Sequence, residues 1–230
     1  MSTDQPPYIL CIETSTDVCS VALGQGTQLI SEEIDRAGGR RHAALLPSMI
    51  DPVLNRAGIE LKQIDAVAYS KGPGSYTGLR VGLSTAKGIC LALQKPLIGV
   101  STLLALCHSI EHVDPSAWIL GMIDAGRDEV YYAGYDALFQ EVITAQPLIL
   151  TRNSGQQWLA SGRHIYIVGD GSLKAEKLLE PHPHLHFGSA EVLARYLIKP
   201  GLDQFINKNF ENLAYAVPDY LKAPAYKKSM

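Results

Sequence analysis

Apolar positions along the chain follow two rhythms. Near the start they form short runs broken by polar turns: residues 8–13 (YILCIE) predict a buried strand, 14–17 a turn, and 18–23 a second strand ending at Gly24-Gln25-Gly26. A third strand over 28–34 completes an antiparallel meander, and the polar, glycine-containing residues 35–41 predict an exposed loop. The rhythm then lengthens. From His42 to Ala57, Leu45, Leu46, Met49, Ile50, Val53 and Leu54 recur every three or four positions, which predicts a helix stopped by Gly58. Pro47 has no backbone donor, so it is expected to kink that helix or to mark its first turn.

Further on, the pattern predicts a strand over 66–69, a helix over 81–93, a strand over 96–100 and a helix over 103–110 capped by Ser101 and Thr102. Residues 117–124 and 129–136 read as strands around the turn Ala125-Gly126-Arg127-Asp128. That order echoes the beginning of the chain. In both places an apolar strand ends in an acid, Glu13 or Asp124, turns over polar residues and returns as a strand. The echo implies two similar lobes, 1–112 and 113–230, with the two acids near the cleft between them. Later periodicity is weaker. It predicts a helix closing over 158–163, a strand over 165–168, a helix over 173–179 with Ser172 as N-cap, an irregular stretch over 181–186 and a helix over 189–197. The basic, proline-flanked tail from Pro218 is expected to be disordered or packed on the surface.

One segment is denser in backbone-shaping residues than any other: Lys71-Gly72-Pro73-Gly74-Ser75-Tyr76-Thr77-Gly78-Leu79-Arg80. It lies between a strand and a helix, and glycine and proline fix such a turn sharply. Free N–H groups at the following helix start can hold an anion or a partner's carboxylate; the alternative is a strand-to-helix turn with nothing bound. The segment is not a P-loop, because no GxxxxGK[ST] occurs in the chain, and it is not a GxGxxG dinucleotide fingerprint. No base lies near Ser75 in sequence to make it a nucleophile. Arg80 can pair with an acid or a phosphate.

The net charge of −3 excludes a chain whose whole surface grips nucleic acid, while leaving room for a local basic patch such as Arg36, Arg40, Arg41 and the tail lysines Lys227 and Lys228. Charged residues make up 19%, low enough to suggest that a partner covers some surface. Cys11, Cys19, Cys90 and Cys107 sit in apolar segments without CxxC spacing and read as buried free thiols of a reducing compartment. With no signal-like N-terminus and no apolar stretch of membrane-spanning length, a cytoplasmic protein is expected. No metal site is expected either. His42 has Leu46, not histidine, four residues on; His182, His184 and His186 read as a solvated loop; His108 and His112 cap a helix end as readily as they bind an ion. Glu13 and Asp124, at strand ends, could meet a Mg²⁺-nucleotide or could simply satisfy the turn backbones.

Taken together in order, several blocks resemble the TsaB family. They are Ile12-Glu13-Thr14-Ser15-Thr16 with Val21-Ala22-Leu23, His42 with Leu45-Leu46-Pro47, the segment Gly72 to Gly82, Lys87-Gly88, and Gly99-Val100-Ser101-Thr102-Leu103. Asp124-Ala125 with Glu129-Val130-Tyr131, Gly169-Asp170-Gly171 and the ending Pro218-Asp219-Tyr220-Leu221-Lys222 complete the set. The resemblance implies an α/β, two-lobed fold of the actin/Hsp70/sugar-kinase type, with RNase H-like sheets and a reduced second lobe. It also implies a non-catalytic subunit that dimerises with TsaD, the enzyme that transfers threonylcarbamoyl to adenosine 37 of ANN-decoding tRNAs. TsaE and tRNA would join through that complex, which uses ATP and Mg²⁺; without TsaD a homodimer is expected. Interface residues implied by the helices are His42, Leu45, Met49, Val53, Leu83 and Lys87, with Gly72, Pro73, Gly74, Ser75, Tyr76, Thr77, Gly78 and Arg80 as the signature loop. The metal-binding HxxxH of TsaD is only half present, as His42 and Leu46, and Lys222 replaces a common arginine; both departures argue against independent catalysis. The rival reading is a small phosphotransferase-like enzyme acting alone, which uses Glu13 and Asp124 around Mg²⁺-ATP.

Overall fold

A computed structural model describes residues 5–37 and 41–222. Strands β1 (Tyr8–Glu13), β2 (Cys19–Gln25) and β3 (Gln28–Asp35) form the expected meander. Helix α1 (His42–Ala57), strand β4 (Ala66–Gly72), helix α2 (Tyr76–Leu93) and strand β5 (Leu97–Ser101) complete a first sheet in the order β3-β2-β1-β4-β5. After helix α3 (Thr102–Cys107) come β6 (Trp118–Asp124), β7 (Glu129–Asp136), β8 (Glu141–Ile149), helix α4 (Gln156–Leu159), β9 (Ile165–Val168), helix α5 (Asp170–Leu178) and β10 (Leu185–Gly188). The second sheet runs β8-β7-β6-β9-β10. Strand for strand this is the topology of the first: a meander, then two strands added parallel to its first member. The short echo seen in the sequence therefore marks a repeated architecture.

Strand β1 is apolar without alternation because both of its faces are covered. Leu10 and Ile12 pack with Leu46, Val53, Leu83 and Cys90 under α1 and α2, whereas Ile9 and Cys11 pack with Ala194, Leu197, Ile198 and Leu202 on the other side. Those last residues belong to a 3₁₀ turn (Ala194–Leu197) and helix α6 (Ile198–Ile206). The chain thus returns to the first sheet after finishing the second, so a division at 112/113 separates the sheets but not the layers around them. Helix α3 sits between the sheets: Ala105 packs with the first, and Leu103, Leu106 and Cys107 pack with the second. All four cysteines are buried free thiols.

Other details differ from the pattern-based expectations. Helix α2 starts at Tyr76, five residues early, so Thr77, Gly78 and Arg80 belong to a helix and not to a loop. Ser75 is its N-cap, accepting from the Gly78 N–H at 3.3 Å. Gly78 is what lets this turn form against β1, since an added Cβ would collide with the Thr14 carbonyl. Helix α1 runs unbroken through Pro47 and also through Pro52. Helix α3 stops at Cys107, and α4 covers Gln156–Leu159 where the pattern suggested 158–163. Ser172 does not cap α5; it lies within it, and its hydroxyl donates to the Gly188 carbonyl at 2.8 Å. The pattern gives no sign of β8 or β10, and of the helix it predicts over 189–197 only Ala194–Leu197 is helical, as the 3₁₀ turn that precedes α6. Among the described residues, no helix is long and apolar enough to cross a membrane.

Candidate functional site

Three neighbouring regions carry the residues singled out above. The first is the outer face of α1 and α2. Met49, Val53 and Leu83 are 5%, 0% and 6% exposed, so they are core residues and not surface. His42 is also buried, and its Nε2 lies 3.2 Å from the Asp17 carbonyl, tying the start of α1 to the β1–β2 turn. Leu45 and Lys87 are half-buried. The opposite, solvent-exposed phase of the two helices carries Ala43, Ala44, Pro47 and Ser48 on α1, and Tyr76, Thr77, Arg80, Ser84 and Gly88 on α2. A shallow groove of about 390 Å³ lies among Ala43, Tyr76, Thr77, Arg80, Val81, Ser84 and Thr85. In the sequence this exposed face shows as the small and polar positions that alternate with the apolar stripe.

The second region is the turn from β4 into α2. The Gly72–Pro73 bond is cis, and Pro73 is buried while Ser75 is exposed. Gly72 has φ +125°, and a Cβ there would stand 2.5 Å from the Asp219 carbonyl oxygen. The Asp219 N–H donates to the Lys71 carbonyl at 2.7 Å, and Lys71 Nζ lies 3.1 Å from the Asp219 carboxylate. The tail through Lys222 is therefore packed against the signature turn. Arg80 Nε donates to the Tyr220 hydroxyl at 3.1 Å, and its guanidinium lies 3.9 Å from the Tyr76 ring centroid.

The third region is the cleft between the β1–β2 and β6–β7 turns. A cavity of about 500 Å³ is lined by Ser15, Thr16, Asp17, Gly74, Ser75, Asp124 and Asp170 among others. Glu13 does not line it. Its side chain is fully buried, accepts from the Ser15 N–H at 2.5 Å, and takes the Ser70 hydroxyl. Burial raises its pKa, with the bonds from Ser15 and Ser70 pulling the other way. Asp124 does face the cleft, but Lys174 Nζ sits 2.5 Å from its carboxylate and the Gly126 N–H donates to the same oxygen at 2.6 Å. Asp170 accepts the Asp124 N–H at 2.9 Å, and burial raises its pKa. These two acids thus do not fit the shared Mg²⁺ site that the rival phosphotransferase reading requires: Glu13 is buried in the first lobe and Asp124 is paired with Lys174. Among the described residues the buried hydroxyls of Ser15 and Thr16 have no hydrogen-bond partner. Among the described residues, no three His, Cys, Asp or Glu side chains are grouped to hold a metal.

Arg36 is paired with Glu191 at 2.8 Å, Arg41 is exposed at the start of α1, and Arg40, Lys227 and Lys228 lie outside the described residues.

Comparison with known proteins places this geometry in context. The family model described as "TsaD: tRNA N6-adenosine threonylcarbamoyltransferase" matches residues 27–228. The tRNA threonylcarbamoyladenosine biosynthesis protein TsaB of Escherichia coli (strain K12) is 39% identical over 128 residues, covering 55% of this chain and 54% of that protein. The match thus spans about half the length of that relative. TsaB of Bacillus subtilis (strain 168) is 27% identical over 223 residues, 93% of each chain. A crystal structure from Pseudomonas aeruginosa, of an uncharacterized protein with similarity to peptidase YEAZ, superposes with a TM-score of 0.81 at 27% identity, covering 94% of this chain and 100% of that one. At the level of fold alone, component A of Acidaminococcus fermentans (R)-2-hydroxyglutaryl-CoA dehydratase covers 88% of this chain and 98% of its own, with a TM-score of 0.50 at 11% identity.

Proposed function

Because the chain belongs to the tRNA threonylcarbamoyltransferase family, as a TsaB member with the two-lobed actin-like fold, we propose that it serves that modification as an accessory subunit. In this reading it binds TsaD through the outer face of α1 and α2 and enables threonylcarbamoyl transfer to adenosine 37 of ANN-decoding tRNAs. TsaE and tRNA join through the complex, and ATP with Mg²⁺ is used there and not by this chain. Without TsaD, the same helical face closes on a second copy.

The observation that carries the accessory role is the fate of the cleft acids. An enzyme using Glu13 and Asp124 around Mg²⁺ needs two carboxylates free to take a cation. Here Glu13 is spent on Ser15 and Ser70, and Asp124 on Lys174. The exposed outer face of the paired helices then supports a partner-binding role.

Reconstitution tests the reading. TsaD and TsaE from the same genome are supplied with threonylcarbamoyl-adenylate and tRNA, and modified adenosine is measured with and without this chain. Product is expected to depend on the chain and to survive Asp124→Asn. Full product without the chain would refute the accessory role. ATP turnover by the isolated chain, lost on Asp124→Asn, would favour the phosphotransferase instead.

A further inference from the structure

We infer that the segment from Pro218 to Lys222 is a clasp that ties the exposed start of α2 to the second lobe, with Tyr220 and Lys222 as its positioning residues. The inference rests on the partner-binding reading above for its functional consequence, and on the following geometry for its existence.

The clasp is built at three points in five residues. At its base, Pro218 is buried and the Asp219 N–H extends the hydrogen bonding of β4 by donating to Lys71. The glycine at 72 is required for that approach, because any side chain would strike the Asp219 carbonyl. In its middle, the Tyr220 ring packs on Tyr76 with centroids 4.9 Å apart, and its hydroxyl takes the Arg80 N–H. Arg80 in turn covers the Tyr76 ring, so Arg80, Tyr76 and Tyr220 fix one another. At its end, Lys222 crosses to the second lobe and pairs with Glu129 at the start of β7.

These contacts close one side of an interlobe cavity of about 740 Å³. First-lobe residues Pro73 and Tyr76 form one wall, Arg127 and Tyr131 of the second lobe form another, and Asp219 to Lys222 form the third. Tyr76 and Arg80 are also exposed residues of the α2 face assigned to the partner. Long side chains held in one arrangement before binding lose less entropy when a partner arrives. The clasp therefore pre-organises the partner face and makes its geometry depend on the position of the second lobe.

Hydrogen–deuterium exchange on the full chain, joined to affinity for TsaD from the same genome, tests this. Lys222→Glu places a carboxylate against Glu129, and Tyr220→Ala removes the ring; Lys222→Arg keeps the ion pair. The first two are expected to speed exchange both at residues 219–222 and in the β6–β7 turn, and to weaken TsaD binding about fivefold, the scale of one modest contact. Lys222→Arg is expected to restore both. Unchanged exchange in Lys222→Glu and Tyr220→Ala would overturn the clasp. Faster exchange with unchanged affinity would overturn its link to the partner face. If the wild type bound no TsaD at all, the partner reading would fall, and exchange alone would still decide whether the clasp exists.

Discussion

Two side chains mark how far single residues can be read from a pattern. Met49 and Val53 stand on the apolar stripe of α1, and that stripe is spent inside the lobe. A charge at either position would be buried without a partner, at a cost of more than about 4 kcal/mol. The double variant Met49→Glu with Val53→Glu is therefore expected to unfold the first lobe, seen as loss of the cooperative urea transition; a native-like transition would mean the helix packs differently. Glu13 teaches the same lesson, since a strand-end acid looks identical in sequence whether it faces a cleft or fills a core. In the sequence His108 reads equally as a helix cap or a ligand. It is the residue after α3, and its ring stacks on Phe139 with centroids 3.8 Å apart. Burial holds its pKa down at about 4, with the charge of Lys199 adding to the shift and Asp203 opposing it. The folded state keeps this ring neutral, so its contribution is present above the ordinary value of 6.5 and is lost as pH falls from there toward 4. His108→Phe, which keeps the stack and never charges, is expected to lose less stability over that interval. Parallel urea midpoints for the two proteins across the same pH series would discount the effect.

At the scale of elements, legibility tracked how much of each element's surface is buried. Strands β1, β7 and β9 and helix α1 were readable because strong apolar patterns define them. Strand β8 is hidden in the sequence because neither of its faces is well covered, as Val142 and Ile149 are exposed, and because it contains Pro147, which reads as a strand breaker. Strand β10 is four residues long and follows Pro181 and Pro183. Helix α6 was obscured by Pro200-Gly201, which reads as a break but falls in the first turn, where a missing N–H costs little. The start of helix α2 is hidden in the sequence because Gly78 looks like a loop residue until the close approach of the Thr14 carbonyl explains it. The exposed phase of α1 and α2 yields a prediction of its own. Ala43→Arg with Ser84→Arg alters only surface positions, so each change is expected to move folding stability by no more than about 0.5 kcal/mol. The same pair should weaken TsaD binding at least about tenfold, because two bulky charges would enter a packed interface. Unchanged affinity in a normally folded variant would remove this face from the interface.

In the whole molecule, two copies of one sheet topology face each other, with α3 between them and the segment after β10 returning to the first. The repeat was legible from a dozen residues because strand, acid and turn recur in the same order. The return was not, since nothing local in residues 194–216 says which sheet they cover. The proposed role as a partner subunit rests on a cleft in which Glu13 is buried and Asp124 is paired with Lys174, and on the open outer face of α1 and α2. The most direct test of that claim is the mass of the purified chain, alone and mixed with TsaD from the same genome, by light scattering on a sizing column. The account predicts a 1:1 complex that forms at the expense of any self-association. Two proteins eluting unchanged, with and without ATP and Mg²⁺, would contradict it.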